Sequence, residues 1–320
     1  MPETILSIDI GGTFIKSALI DHLAAVEMLE KVDTPDSLPE FLASLEGLIR
    51  AHDSQITGVA IACPGTIDTD TGFVHKGGLI PYLKNYPLGQ YLQDTVQLPI
   101  SVLNDADAAG LAEAVYGELK GCSLGAVLVL GTGVGLALVS DGGLISLQEI
   151  AGKGLLTPFE DKTSTDQTRT LFQDLGQMFD LHIRGLRSLM DNSGSAVQFI
   201  KRASQELGLR DVDGKAVFEA LEAGANHQLL DMFKDYCHQV AVLVLNLRTL
   251  FQLECVLIGG GISQQPLLIQ EVKRQYQELL EVEKTDFDND LDILACQFHN
   301  QANLLGAYRF FQDKYKKLNG

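Results

Sequence analysis

Apolar and polar positions at the start of the chain follow the pattern of short β-strands. Residues 4–10 and 14–20 are rich in β-branched and aliphatic side chains, and Gly11-Gly12 separates them. This pattern predicts a hairpin with a glycine turn, which a third strand at about 24–32 extends.

The same pattern returns in the middle of the chain. Residues 125–130 and 134–140 are predicted strands on either side of Gly131-Thr132-Gly133, and both hairpins end in an aspartate, Asp21 and Asp141. We interpret the repetition as an internal duplication. It predicts two related lobes, each built on one β-rich unit.

The remaining apolar positions place helices and further strands around these hairpins. The lobe boundary is expected near 117–123, where glycines flank a polar segment. Predicted helices are 36–51, 104–116, 167–183, 195–207, 214–223, 226–250 and 301–317, predicted strands are 57–62, 99–103, 254–258 and 291–296, and 157–168 is a predicted loop.

Composition and net charge limit the kinds of molecule that the protein is expected to bind. The 320 residues include 24 basic and 42 acidic side chains, a formal net charge of −18. Because such a surface repels phosphodiester backbones, nucleic acid is not an expected partner, whereas local backbone dipoles can still bind a small phosphorylated ligand. The five cysteines are scattered without disulfide or zinc-ligand spacing, and no apolar run is long enough to span a membrane. We therefore expect a cytoplasmic protein.

The first candidate for chemistry is the turn of the first hairpin. Asp9 lies near the end of the first strand, and Gly11, Gly12 and Thr13 follow it. Glycine lets backbone N–H groups approach a phosphate closely, a threonine hydroxyl adds a donor, and an aspartate here can orient a hydrated Mg²⁺. Taken alone, the segment fits a plain hairpin turn, in which Asp9 only caps the backbone, as well as a phosphate site.

The second hairpin repeats this chemistry at Gly131, Thr132 and Gly133. No Gly-Lys-Ser/Thr follows, so the segment is not a Walker A loop, and the returning strand does not fit the helix that a dinucleotide fingerprint needs. Two such turns in equivalent places favour phosphate binding over two ordinary turns.

Two strand ends provide further candidates. Gly259, Gly260 and Gly261 follow an apolar strand and precede a predicted helix, where glycines would let a flat ring or a phosphate lie against the backbone at the helix N-terminus. Asn104 and Asp105 stand between a strand and a helix, where an aspartate can accept a proton from an attacking hydroxyl. A plain strand-to-helix turn and an ordinary helix cap are the competing interpretations.

Six short motifs are spread along nearly the whole chain. They are Asp9-x-Gly11-Gly12-Thr13, Pro64-Gly65, Asn104-Asp105-Ala106-x-Ala108-Ala109, Gly131-Thr132-Gly133-x-Gly135, Gly259-Gly260-Gly261 and Asn303-x-x-Gly306-Ala307. As an ordered set they resemble the ROK family of sugar kinases and sugar-responsive repressors, within the actin/hexokinase superfamily.

This resemblance implies an α/β fold of two actin/hexokinase-like (ribonuclease H-like) lobes with a cleft between them. The N-terminal lobe would comprise residues 1–118, joined by a C-terminal helix at 303–320, and the C-terminal lobe residues 119–302. The resemblance also implies Asp105 as general base, with ATP and Mg²⁺ as cofactors and Asp9 holding the Mg²⁺ indirectly. The ATP phosphates would lie against Gly11, Gly12, Thr13, Gly131, Thr132 and Gly133, the adenosine against Gly259, Gly260 and Gly261, and the sugar against Asn104, Gly65 and Gly78.

The chain departs from the family where sugar hydroxyls are usually bound. Counted without gaps from Gly131, Lys153 and Leu156 stand where the family has a glutamate and a histidine. Glu149 is the candidate replacement for that glutamate if the loop shifts, and Asp191 is the candidate for a later family glutamate. The family's zinc-binding cysteine cluster is absent from the sequence, so no structural zinc is expected.

The predicted function is ATP-dependent phosphorylation of a hexose or hexose glycoside, with O6 as the expected acceptor. The segment Gly77-Gly78-Leu79-Ile80-Pro81-Tyr82 lacks the asparagine of glucokinase-like members and resembles the loop of β-glucoside kinases, which favours a pocket open to glycosides. A catalytically impaired sugar-binding or regulatory protein is the alternative, because the usual sugar-binding glutamate is replaced. A DNA-binding repressor is disfavoured, since the first strand begins near Thr4 and the net charge is −18. The resemblance also implies a homodimer.

Overall fold

The computed structural model describes residues 4–155, 195–283 and 290–316. In these ranges, strands and helices alternate around two five-stranded sheets and one short hairpin. The strands are β1 (Ile5–Ile10), β2 (Phe14–Ile20), β3 (Val26–Asp33), β4 (Gly58–Cys63), β5 (Thr66–Asp68), β6 (Phe73–Lys76), β7 (Ile100–Asn104), β8 (Gly125–Leu130), β9 (Val134–Ser140), β10 (Gly143–Leu144), β11 (Cys255–Gly260) and β12 (Asp292–Ala295). The helices are α1 (Leu38–Arg50), α2 (Leu88–Val96), α3 (Asp105–Tyr116), α4 (Leu147–Gly152), α5 (Ala196–Glu206), α6 (Gly214–Ala223), α7 (His227–Leu250), α8 (Pro266–Glu283) and α9 (Ala302–Lys316).

The first sheet has the strand order β3-β2-β1-β4-β7. β1 pairs antiparallel with β2 and parallel with β4, which in turn pairs parallel with β7. Every residue of β1 and β4 is buried, because helices cover both faces of strands at the centre of such a sheet. The parallel strands bring their carboxyl ends, and the residues that follow them, to one edge of the sheet.

The second sheet repeats this plan, with the order β10-β9-β8-β11-β12. β11 runs parallel to both β8 and β12, as β4 does to β1 and β7. Corresponding strands therefore stand in the same order in both sheets, which agrees with the internal duplication predicted from the two hairpins.

The chain divides into two compact units. One comprises residues 1–122, 136–144 and 296–320, and the other residues 123–135 and 145–295, described here only within the ranges given above. The predicted lobe boundaries at 118 and 302 stay a prediction.

Close helix packing fixes the C-terminal helix of the first unit. α9 packs against α3, and a Cβ on Gly306 of α9 would lie 1.7 Å from the backbone oxygen of Ala108 in α3. Only glycine allows this backbone-to-backbone approach. The contact places the start of α9 beside β1, where Ser7 donates a 2.7 Å hydrogen bond to the Leu304 oxygen.

Most predicted elements lie within two residues of the observed ones, but some were missed. A helix was predicted after Gly261 without bounds, and it is α8. The hairpin of β5 and β6, the two-residue β10, the six-residue α4 and the nine-residue α2 were not predicted. Elements this short carry too few apolar positions to show a period. The predicted loop 157–168 and helix 167–183 lie outside the described residues. No helix within the described ranges is long and apolar enough to cross a membrane.

Candidate active site

Asp9 lies near the carboxyl end of β1 and is 7% exposed. Its Oδ1 accepts a 2.9 Å hydrogen bond from Asn303 Nδ2, and its Oδ2 lies 3.4 Å from Lys16 Nζ. A buried carboxylate is costly unless it is paired and hydrogen-bonded, and these two contacts offset that cost. Asp9 on β1 is thus held by a side chain from the adjacent strand β2 and by one from helix α9. Sequence reasoning gave no role to Lys16 or Asn303.

The turn after β1 is tight and exposed. The Gly11 N–H donates to the Phe14 oxygen at 2.9 Å, and the Thr34 hydroxyl donates to the Gly11 oxygen at 2.7 Å. Gly12 and Thr13, at the tip of the turn, are exposed. A braced turn that presents its backbone in this way can approach an anion without interference from a Cβ.

Asn104 ends β7 and caps α3. Its Oδ1 accepts hydrogen bonds from the backbone N–H groups of Ala106 at 2.9 Å and Asp107 at 3.2 Å, and its Nδ2 donates to the Gly65 oxygen at 2.7 Å. The cap that competed with a sugar-binding role is therefore present. Asn104 also ties the start of α3 to the loop that contains Gly65.

Asp105 is the first residue of α3 and is half-buried. Burial raises the pKa of its carboxyl, the Ala106 N–H bonded at 2.9 Å opposes that rise, and the negative charge of Asp9 adds to it. Burial and the nearby Asp105 also raise the pKa of Asp107, to about 6. A carboxylate whose pKa is moved towards neutrality is better matched to accepting a proton from a hydroxyl.

Gly65 and Gly78 face each other in two adjoining loops. Gly65 has φ 107° and Gly78 has φ 56°, and a Cβ on Gly78 would lie 3.1 Å from the Gly65 nitrogen. Together with the Asn104 hydrogen bond, this contact connects the segment around Gly78 to the start of α3. The fold thus brings Asn104, Gly65 and Gly78 together.

The second unit holds the other glycine turn. The Gly131 N–H donates to the Gly133 oxygen at 2.9 Å, and the Gly131 oxygen accepts from the Ser195 hydroxyl at 3.0 Å and from the Val197 N–H at 3.3 Å. The N-terminus of α5 is therefore fixed at this turn, which includes Thr132. Sequence reasoning gave no role to Ser195, although its position before an apolar helix is that of a capping residue.

Gly260 ends β11 beside the strand that leads into the second turn. It has φ 97°, and a Cβ on it would lie 2.0 Å from the Leu130 oxygen. Gly259 pairs with Val129 in the same ladder. The following helix α8 begins at Pro266, so the expectation that Gly261 lies at a helix N-terminus is wrong. The residues between them form a turn.

Glu149 has a local partner. It is exposed, and its Oε2 accepts hydrogen bonds from the Ser146 N–H at 2.8 Å and the Ser146 hydroxyl at 2.7 Å. These bonds lower the pKa of Glu149 and form a capping box at the start of α4. Its role as a sugar ligand stays a prediction. Asp191 lies outside the described residues.

Protein ligands for a metal ion are sparse near Asp9. Within the described ranges, no group of three or more His, Cys, Asp or Glu side chains could hold a metal ion. The single carboxylate of Asp9 beside an exposed glycine turn fits indirect support of a hydrated Mg²⁺, which keeps most of its waters.

Comparison with known proteins decides the family. The model of the ROK family matches residues 5–153 and 190–314. The chain belongs to the ROK family. Its fold agrees: a ROK family protein from Streptococcus pneumoniae, solved in complex with sucrose, superposes with a TM-score of 0.72 at 26% identity over 98% of this chain and 99% of that one. The predicted actin/hexokinase-like fold class is confirmed.

Curated relatives of this ROK chain are sugar kinases of the same length. A β-glucoside kinase from Listeria monocytogenes is 26% identical over 97% of this chain and 98% of its own. An N-acetylmannosamine kinase from Escherichia fergusonii is 28% identical over 95% of this chain and 97% of its own.

Proposed function

We propose that the chain transfers the γ-phosphoryl group of ATP to a hydroxyl of a hexose glycoside or hexose, with O6 as acceptor and Asp105 as general base. The enzyme class, an ATP-dependent sugar kinase, follows from membership of the ROK family and from full-length relatives that are sugar kinases. The observation that supports Asp105 as base is its position at the start of α3, beside Asn104 and the Gly65 loop, where burial also raises its pKa.

The proposed chemistry gives each residue a defined task. Asp105 accepts the proton of the sugar hydroxyl as its oxygen attacks the γ-phosphorus, and the bond to the β,γ-bridging oxygen breaks to release ADP. Asn104, Gly65 and Gly78 hold the sugar. Backbone N–H groups of the two glycine turns bind the phosphates, and Gly259 to Gly261 lie against the adenosine. Asp9 would orient the water shell of a Mg²⁺ ion bound with ATP, and that ion would neutralise phosphate charge.

A β-glucoside is the favoured substrate class. Full-length similarity to a β-glucoside kinase and to a sucrose-bound ROK protein supports a glycoside rather than a free hexose alone. The homodimer, the cytoplasmic location and the absence of structural zinc stay predictions.

The experiment is an ADP-release assay over glucose, N-acetylmannosamine, cellobiose, sucrose and a methyl β-glucoside. We expect the β-glucoside or cellobiose to give the highest kcat/KM, and phosphorus–proton NMR of the product to place the phosphate on O6. Asp105→Asn is the matched control. No sugar-stimulated ADP above that control would contradict the kinase, and full activity of the variant would contradict Asp105 as base.

A sugar-binding protein with little turnover is the second candidate. The observation that favours it is the capping box that occupies the Glu149 carboxylate, the proposed replacement for the family glutamate. Calorimetric binding of a β-glucoside without ADP release in the same assay would establish this alternative.

A further inference from the structure

Leu79 is a large apolar side chain at the surface of the candidate active site. It is 47% exposed, whereas the next residue, Ile80, is 1% exposed. Its Cβ lies 3.0 Å from the position that a Cβ on Gly12 would occupy. The leucine therefore packs directly on the glycine turn that follows β1.

The exposure of Leu79 does not come from a loose loop. The Ile80 N–H donates to the Gly77 oxygen at 2.9 Å, and the Tyr82 hydroxyl donates to the Pro35 oxygen at 2.6 Å. The Tyr82 ring meets Phe41 edge-on, with 5.6 Å between centroids. Anchors on the C-terminal side and the Gly78 contact on the other side hold Leu79 in place.

The position of Leu79 connects two parts of the site. Gly78, its neighbour, packs on Gly65, and Gly65 accepts the hydrogen bond of Asn104. Leu79 is thus adjacent in sequence to Gly78, one of the residues proposed to bind the sugar, and its side chain packs on Gly12 in the turn proposed to bind phosphate. A polar or small residue at this position would leave less apolar surface in water, because the exposed part of the leucine contributes no free energy of burial.

We propose that Leu79, which packs on Gly12, forms an apolar wall beside the Gly11–Thr13 turn and keeps water from the transferred phosphoryl group when ATP lies on that turn. This inference rests on the proposed kinase activity. The reaction it suppresses is the attack of a water oxygen on the γ-phosphorus, which breaks the bond to the β,γ-bridging oxygen and yields ADP and inorganic phosphate. Exclusion of water from a transfer site is a recognised way to prevent this side reaction.

The test measures coupling, the ratio of sugar phosphate formed to ADP formed. Leu79→Ala is expected to raise sugar-independent ADP formation about tenfold and to lower the coupling ratio, because water can then approach the phosphoryl group from the Leu79 side. Leu79→Met, which restores an apolar side chain of similar volume, is expected to return both values close to wild type. Leu23→Ala is the matched control, since Leu23 is 76% exposed and lies in the turn after β2.

The outcomes separate the two proposals. An unchanged coupling ratio in Leu79→Ala, with wild-type sugar phosphorylation intact, would overturn the role of Leu79 and leave the kinase standing. A wild-type protein that forms no sugar phosphate would overturn the kinase and the inference with it. A fall in coupling that Leu79→Met does not restore would also contradict the inference, since apolar cover would then be irrelevant. Thermal midpoints of all variants confirm that each is folded.

Discussion

The Nδ2 of Asn303 donates a 2.9 Å hydrogen bond to the Oδ1 of Asp9, although 294 positions separate the two residues. The bond brings helix α9 to the end of β1, where Lys16 approaches the other carboxylate oxygen at 3.4 Å. The C-terminal helix is therefore part of the candidate active site. Its asparagine fixes the direction of the carboxylate that we propose supports Mg²⁺.

Asn303→Ala should weaken the use of Mg²⁺-ATP without unfolding the protein. Loss of this hydrogen bond leaves Asp9 free to turn towards Lys16, so we expect kcat/KM for ATP to fall roughly tenfold. Steady-state kinetics with Mg²⁺ titrated at fixed ATP would measure the change.

Ser7→Ala provides the matched control for Asn303. Ser7 forms another hydrogen bond between β1 and α9, and its hydroxyl donates to the Leu304 oxygen at 2.7 Å rather than to the Asp9 carboxylate. Its loss should cost about 1 kcal/mol of stability and leave the Mg²⁺ dependence unchanged. Equal effects of both variants on Mg²⁺ dependence would show that Asn303 only holds the helix.

Local patterns were enough to predict much of the fold. Glycine turns between apolar strands predicted both hairpins, and their repetition predicted two sheets of one plan, which the shared strand order confirms. Ordered motifs then predicted the family, and the family model confirms it. Each turn and each motif lies within a short stretch of sequence, and only the order of the motifs extends along the chain.

The contacts that complete the candidate site could not be predicted in this way. Asn303 and Lys16 reach Asp9 only after α9 and β2 have packed against β1, and no spacing in the sequence shows that contact. The role of Ser195 as a helix cap could have been predicted, because it precedes an apolar helix. Its hydrogen bond to Gly131 could not, because 64 positions separate the two residues. The local hydrogen bonds from Ser146 to the Glu149 carboxylate were also missed, although only three positions separate the two residues.

The pH dependence of turnover follows from the raised pKa of Asp105. Its carboxyl must be deprotonated to accept a proton, so kcat/KM for the sugar should fall as the pH drops through a pKa above the usual range of an aspartate. Asp9 and Asp107 are the nearby acids, and Asp107 itself titrates near pH 6. Rates across the acid range, with Asp107→Asn as a comparison, would show which group controls the fall. Turnover that stays constant down to the ordinary pKa of aspartate would contradict the assignment.

Asp105→Asn should separate activity from stability. A pKa raised on folding means that the native state binds this proton more tightly than the unfolded state, so the stabilisation is present at low pH and lost as the pH rises through the folded pKa. Above the folded pKa the charged Asp105 therefore destabilises the fold. The neutral variant should lose turnover by roughly 10²–10⁴-fold while its thermal midpoint stays equal or rises. A lower midpoint would mean that the carboxylate is needed for folding.

Gly306→Ala should destabilise the first unit strongly. Its Cβ would lie 1.7 Å from the Ala108 oxygen, and two packed helix backbones cannot separate without loss of contact along α3 and α9. We expect a loss of roughly 3 kcal/mol. Gly47→Ala is the matched control, because Gly47 lies on the exposed face of α1 and a Cβ added there would have nothing within 4 Å, so alanine should stabilise the helix by about 0.5–1 kcal/mol. Urea unfolding followed by circular dichroism would measure both, and similar effects of the two variants would contradict the close approach.

Glu113 is a buried carboxylate that fixes two backbone segments of the first unit. It is 0% exposed, its Oε1 accepts from the Phe298 N–H at 3.1 Å, and its Oε2 accepts from the Glu118 N–H at 3.2 Å. Glu113→Ala would leave both donors without this acceptor and open a cavity, so we expect a loss of about 2–4 kcal/mol in the free energy of unfolding.

Glu113→Gln should lie between alanine and wild type, because the amide keeps one acceptor oxygen but turns an N–H₂ towards a backbone donor. Glu118→Ala removes an exposed side chain of the same charge and should change stability by less than about 0.5 kcal/mol. The chain has no tryptophan, so circular dichroism in urea is the suitable measurement. If Glu113→Ala and Glu118→Ala unfolded at the same urea concentration, the Glu113 carboxylate would have no structural role. Apolar packing alone would then have to hold the segment that follows α3 and the segment that precedes α9.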